Sequence, residues 1–149
     1  MDEILIIFSN VKTFEILENE IKIVQLLRYQ AKNGANIRIL INRNVVKDKS
    51  YINKVNNILD LVVDYPKNIQ IQNLKSGIHN RLTTIIADRE LSLTIETKHQ
   101  PENTIKRLDN GYEVDRYETM GLSSYSNSES TVMSYAIIFE SLWIKSELF

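Results

Sequence analysis

The sequence predicts an α/β domain built on a mixed, mostly parallel β-sheet, flanked by helices and closed by a long C-terminal helix. Three features predict it. The run Ile4-Leu5-Ile6-Ile7-Phe8 is apolar without alternation and rich in β-branched residues, as a strand buried on both faces of a sheet must be. Leu17, Ile21, Val24, Leu27 and Ala31 then recur at helical spacing, and a second apolar run, Ile37-Arg38-Ile39-Leu40-Ile41, follows after a short return past Gly34. Strand, helix, strand in that order is a βαβ unit, whose strands pair in parallel. The third feature is the apolar series Val132, Tyr135, Ala136, Phe139, Leu142 and Trp143, which marks the terminal helix.

The remaining elements follow from local signals. Asn42-Arg43-Asn44 is a polar strand exit. Tyr51, Val55, Ile58, Leu59 and Val62 predict another helix, which Pro66 closes. Ile69-Gln70-Ile71-Gln72 alternates as a strand does. Residues 83–88 and 91–96 are β-prone and flank Arg89-Glu90, the pattern of a hairpin without the Gly or Asn that a tight turn prefers. Residues 97–117 turn polar and predict a long loop or lid, followed by a short last strand at 120–125. Ser126-Asn127-Ser128-Glu129 has the spacing of a capping box, with Ser126 as the cap and Glu129 reaching back. Lys145-Ser146-Glu147-Leu148-Phe149 contains neither Gly nor Pro, so the terminal helix is expected to run on into more protein. Residues 1–149 are thus expected to be one domain of a longer chain.

Composition narrows the function classes. With 149 residues, 43% of them hydrophobic and 25% charged, the chain has the size and balance of a single globular domain. No apolar run approaches the roughly 20 residues that span a bilayer, and Asp2 and Glu3 stand where a secretory signal carries positive charge, which points to the cytoplasm and to no membrane partner. The absence of cysteine removes disulfides, thiolate metal sites and a cysteine nucleophile. Eighteen basic against 19 acidic residues leave no net charge to draw phosphate backbones, and on that ground no nucleic-acid partner is expected. No metal ligand set and no cofactor motif stands out.

A strand, a helix, a second strand, a hairpin, then a Ser/Asn turn and a helix carrying Phe139-Glu140-Ser141-Leu142-Trp143 together resemble a single repeat of the phospholipase D superfamily. More narrowly, residues 6–9, 24–27, 37–41, Ala87-Asp88-Arg89-Glu90-Leu91-Ser92-Leu93 and Tyr125-Ser126-Asn127-Ser128-Glu129-Ser130-Thr131-Val132 are similar to the input domains of archaeal sensor histidine kinases. The resemblance implies a homodimer, a kinase core on the same polypeptide and a signal carried by the terminal helix. It also makes a second reading available, the effector-binding domain of a sugar-responsive archaeal transcription regulator.

Enzymes of the superfamily use His-x-Lys-x4-Asp: the His attacks phosphorus and the Lys holds the phosphoryl oxygens. Starting that frame at His79 puts Arg81 at the Lys position and Ile86 where the Asp belongs; ending it at Asp88 puts Arg81 at the His position and Thr83 at the Lys position. Arginine stays protonated and cannot be the nucleophile. No catalytic residue is therefore expected, and the chain is read as a non-enzyme. What remains is a polar set, Ser9, Asn10, Arg81, Thr83, Asp88, Thr94, Glu96, Ser126 and Asn127, that could bind a small polar or anionic ligand. Helix capping alone accounts for Ser126 and Asn127 and is the favoured reading of them, and a surface ion-pair set accounts equally well for Arg81, Asp88 and Glu96.

Overall fold

The computed structural model describes residues 1–41, 49–75, 82–99 and 117–148. Within them the chain runs β1 (Glu3–Phe8), α1 (Val11–Ile21), α2 (Ile23–Lys32), β2 (Asn36–Ile41), α3 (Lys49–Asp64), β3 (Ile69–Asn73), β4 (Leu82–Ala87), β5 (Leu91–His99), β6 (Tyr117–Ser126), α4 (Glu129–Ile144) and β7 (Glu147–Leu148). These strands form one sheet in the order β6-β5-β4-β1-β2-β3-β7. The parallel core is β1-β2-β3, as the βαβ pattern requires. The expected mostly parallel sheet is corrected here: the pairings of β1 with β4, β4 with β5, β5 with β6 and β3 with β7 are antiparallel, and β4 passes to β5 by a tight turn where a parallel pair needs a crossover.

Each face of the sheet buries its own set of alternate side chains. Ile4, Ile6 and Phe8 of β1 pack with Ile37, Ile39 and Ile41 of β2 under α1, α2 and α3. Leu5, Ile7 and Leu40 face the other way, onto Val132, Ala136 and Phe139 of α4. Double-sided coverage is why the first strands read as unbroken apolar runs, each buried side chain contributing on the order of 1.5–3 kcal/mol.

The first helix is two helices. Lys22 adopts φ 50° and ψ 59°, a left-handed conformation, and breaks the expected single element. The Glu18 carboxylate accepts from the Val24 amide at 3.1 Å and so caps the second piece. The break shifts the buried face: Ile23 is buried while Ile21, part of the helical pattern, is exposed. Gly34, at φ 93°, ends α2 as expected, with its amide on the Ala31 carbonyl at 3.0 Å.

The hairpin between β4 and β5 forms without Gly. Asp88 and Arg89 take φ 53° and 54°, the signs a type I′ turn needs, and the Glu90 amide closes on the Ala87 carbonyl at 3.0 Å. The Asp88 carboxylate offsets the strain by accepting from the Asp2 and Glu3 amides at 2.7 and 2.9 Å. Both ends of the expected loop at 97–117 are strand, since β5 runs to His99 and β6 begins at Tyr117; Asn42-Arg43-Asn44 lies outside the described residues.

Two expectations at the terminal helix are corrected. Ser126 is not its cap: it is the last residue of β6, paired with Ser92, and its hydroxyl accepts from the Ser128 amide at 3.1 Å. Ser128 takes the N-cap position without a side-chain capping bond. The helix also stops. Past Ile144 the Ser146 hydroxyl bonds the Trp143 carbonyl at 2.5 Å, and Glu147 and Leu148 return to the sheet beside β3.

Candidate functional site

The carboxyl ends of parallel strands are where α/β sheets open toward ligands, and β1 leads there into a buried polar cluster. The Ser9 amide donates to Thr83 Oγ1 at 3.0 Å and the two hydroxyls lie 2.8 Å apart. Next in the chain, Asn10 caps α1, its Oδ1 accepting from the Thr13 amide at 2.9 Å and the Thr13 hydroxyl at 3.0 Å. All four residues are buried. None is a base able to activate a hydroxyl. Replacing Thr83 by Val keeps the shape and strands the Ser9 amide, so the variant is expected to lose about 1–3 kcal/mol in a urea titration. Thr83→Ser should recover most of that loss.

The other sequence-selected residues that are described do not join this cluster. Thr83 pairs with Ile95 and shares the face of Ile85, beneath α1; Thr94 pairs with Thr84 and shares the face of Ile86, beneath α4. Glu96, two residues along β5 from Thr94, and Ser126, the cross-strand partner of Ser92, follow that second face. Thr94 is bonded there to the Ser124 carbonyl at 3.4 Å. Asp88 lies at the far end of β4, five residues from Thr83 or about 17 Å of strand. Its carboxyl sits below the usual carboxylate range because the Glu3 and Asp2 amides stabilise the anion, against the opposing effect of burial. Asn127 is exposed between β6 and α4, and Arg81, like His79, lies outside the described residues. A single hairpin-mouth pocket is thus divided over two faces and two ends of the sheet.

Sequence reasoning missed a second cluster. Arg38 of β2 forks onto Glu140 of α4, Nη1 to Oε2 at 3.0 Å and Nη2 to Oε1 at 2.5 Å, while Arg89 Nη2 reaches the same Oε1 at 2.7 Å. Glu3 completes the set, 2.9 Å from Arg89 Nε and 3.6 Å from Arg38 Nη2. The Arg38 guanidinium also lies 5.3 and 5.4 Å from the ring centres of Phe139 and Trp143. Hydrogen bonding from Arg38, then from Arg89, holds the Glu140 carboxyl below its ordinary range against partial desolvation. Two cations and two anions cancel, so the cluster fastens α4 to the sheet and leaves no surplus charge for a ligand. Its only trace in the sequence is a lone charge inside each of two apolar stretches, Arg38 among Ile37, Ile39 and Leu40, and Glu140 beside Phe139.

Among the described residues no group of three or more His, Cys, Asp or Glu side chains could hold a metal ion, and no helix is long and apolar enough to cross a membrane.

A mixed sheet of this order, helices on both faces and a final helix over the hairpin strands define a phospholipase D-like fold. Among solved structures the chain is similar to Nuc of Salmonella typhimurium, a phospholipase D family member, with a TM-score of 0.60 at 13% identity, over 99% of this chain and 82% of that one. It is also similar to TrmBL2, an archaeal chromatin protein described with a novel mode of DNA binding, with a TM-score of 0.57 at 15% identity. That match covers 98% of this chain but 44% of TrmBL2, so the chain spans less than half the length of this neighbour. Identities this low speak for the fold alone. No protein-family model matches the sequence, and no curated protein does. The likeness to TrmBL2 overturns one expectation: the exclusion of nucleic acid as a partner, drawn from net charge, does not stand when a DNA-binding protein shares this fold over nearly the whole chain. Net charge reports an average and is blind to what a longer protein adds.

Proposed function

We propose that the chain is a non-catalytic phospholipase D-like module, the cytoplasmic effector domain of a transcription regulator that responds to a bound ligand or partner. The observation that carries the reading is the fate of the Lys and Asp positions of the catalytic pattern. Thr83 stands at the first, fully buried and hydrogen-bonded to Ser9. Asp88 stands at the second with its carboxylate engaged by two main-chain amides. Neither can hold a phosphoryl oxygen or orient a nucleophile as it stands. The likeness to TrmBL2 supports the regulator over other non-catalytic roles.

A second reading, the input module of a sensor histidine kinase, is favoured by the resemblance in Tyr125-Ser126-Asn127-Ser128 and Phe139-Glu140-Ser141-Leu142-Trp143. Two measurements decide. Hydrolysis of bis(p-nitrophenyl) phosphate by the chain and by His79→Ala is expected to be indistinguishable from buffer; turnover lost on the substitution would make the protein a phosphodiesterase. Fluorescence anisotropy of duplex DNA with the full-length gene product is expected to show binding, and autophosphorylation with ATP in its place would select the kinase.

A further inference from the structure

We propose that the outward face of α4 is an interface between two copies of this chain, with the two helices packed antiparallel about a two-fold axis at Ile137. Among the described residues α4 is the helix that covers its face of the sheet, where it seats Val132, Ala136 and Phe139. Its other side carries Met133, Ile137, Ile138 and Ile144, which are 38%, 64%, 49% and 81% exposed. A helix with apolar residues on both sides is ordinarily covered on both. The clamp of Arg38 and Arg89 on Glu140 fixes the rotation of the helix, so the second apolar side is held outward.

That face complements itself. A two-fold axis through Ile137 brings together residues equally spaced before and after it, and sets Ile137 against its own copy. Met133 then falls against Ser141 of the second copy and Ile144 against its Ser130, so each large side chain meets a small one. Two of the serines on this side have their hydroxyls engaged within their own chain. Ser134 donates to the Ser130 carbonyl at 2.8 Å, and the Ser130 hydroxyl lies 3.2 Å from that of Ser128. At the rim, exposed Glu129 meets the exposed Lys145 of the second copy, once at each end of the pair. Matching in both size and charge is what an isologous contact requires, and one sequence supplies both sides of it.

The test is sedimentation velocity of the full chain over a concentration series. Two helices of 16 residues, each about 24 Å long, make a small interface, so the dimer is expected to dissociate with a constant on the order of 10 μM. Ile137→Asp places like charges together on the axis and should weaken the dimer about a hundredfold, with the far-ultraviolet circular dichroism unchanged. Glu129→Lys and Lys145→Glu should each weaken self-association about tenfold, since each sets like charges at both ends of the pair. An equimolar mixture of those two variants restores both opposite-charge contacts and should recover the parent's affinity as a heterodimer. Three results would overturn the proposal. They are a chain that stays monomeric well above the expected constant, an Ile137→Asp variant that dimerises like the parent through some other surface, and a mixture of the charge variants that associates no better than either alone.

Discussion

Phe139→Ala is expected to be among the most damaging single substitutions in the protein, lowering the unfolding free energy by about 3–5 kcal/mol. The ring is fully buried against the sheet beneath α4, in the cluster that holds Leu5, Ile7 and Leu40. It stacks on Trp143 with centroids 5.7 Å apart and an interplanar angle of 19°, and Arg38 lies over it. Truncation removes transfer free energy, opens a cavity that β1 and β2 cannot collapse into, and withdraws one of the two rings beneath the guanidinium. The midpoint of thermal unfolding should fall by roughly 10 °C for a chain of this size. Ile137→Ala, on the exposed side of the same helix, should stay within about 0.5 kcal/mol. A loss below about 1 kcal/mol for Phe139→Ala, measured by urea unfolding, would mean that α4 does not pack through this ring.

Arg38→Ala is expected to cost about 2 kcal/mol near neutral pH, a figure set by one forked, charge-assisted pair and reduced for the partial exposure of its partners. Its effect should depend on acid. Glu140 and Asp88 both titrate below their ordinary ranges in the folded protein, the first through Arg38 and Arg89, the second through the Glu3 and Asp2 amides. A carboxylate with a depressed folded value contributes stability that is fully present above its unfolded value, about pH 4, and is lost as pH falls through the folded value. The parent should therefore lose stability steeply below about pH 4. Arg38→Ala should show a shallower loss, since the Glu140 part of the linkage is largely gone. Trp143, the single tryptophan of the sequence, reports the change directly through its fluorescence. Parallel pH profiles for the two proteins would remove the clamp from the account of how α4 is held.

Much of the fold was legible because it rests on local periodicity. The unbroken run at 4–8 and the helical spacing of Ile58 and Leu59 with Val62 are read correctly from the chain alone, since a strand with both faces covered and a helix with one covered face leave distinct patterns. The break at Lys22 left no such mark: neither Gly nor Pro is there, and the Glu18 carboxylate that caps the new helix is an ordinary surface acid in sequence. The capping-box spacing pointed to Ser126, and pairing of Ser126 with Ser92 across two strands moved the cap position to Ser128. Two residues of β7 are too few to carry any period.

The polar residues divide in the same way. From the sequence by itself came the identity of the hydroxyl and carboxylate groups, the loss of the catalytic pattern and, apart from the break at Lys22, the order of the secondary elements up to the hairpin. Which of those groups meet was decided only in three dimensions. Thr83 and Thr84 are neighbours in the chain yet face opposite layers, and Asp88 follows the same strand as Thr83 but lies at its other end. Arg38, Arg89, Glu3 and Glu140 come from four separate elements to share one carboxylate oxygen and its surroundings. The physical reason is that periodicity reports how much of a side chain is covered, whereas register, strand direction and helix docking report by what, and those are set by pairing between residues far apart in the chain.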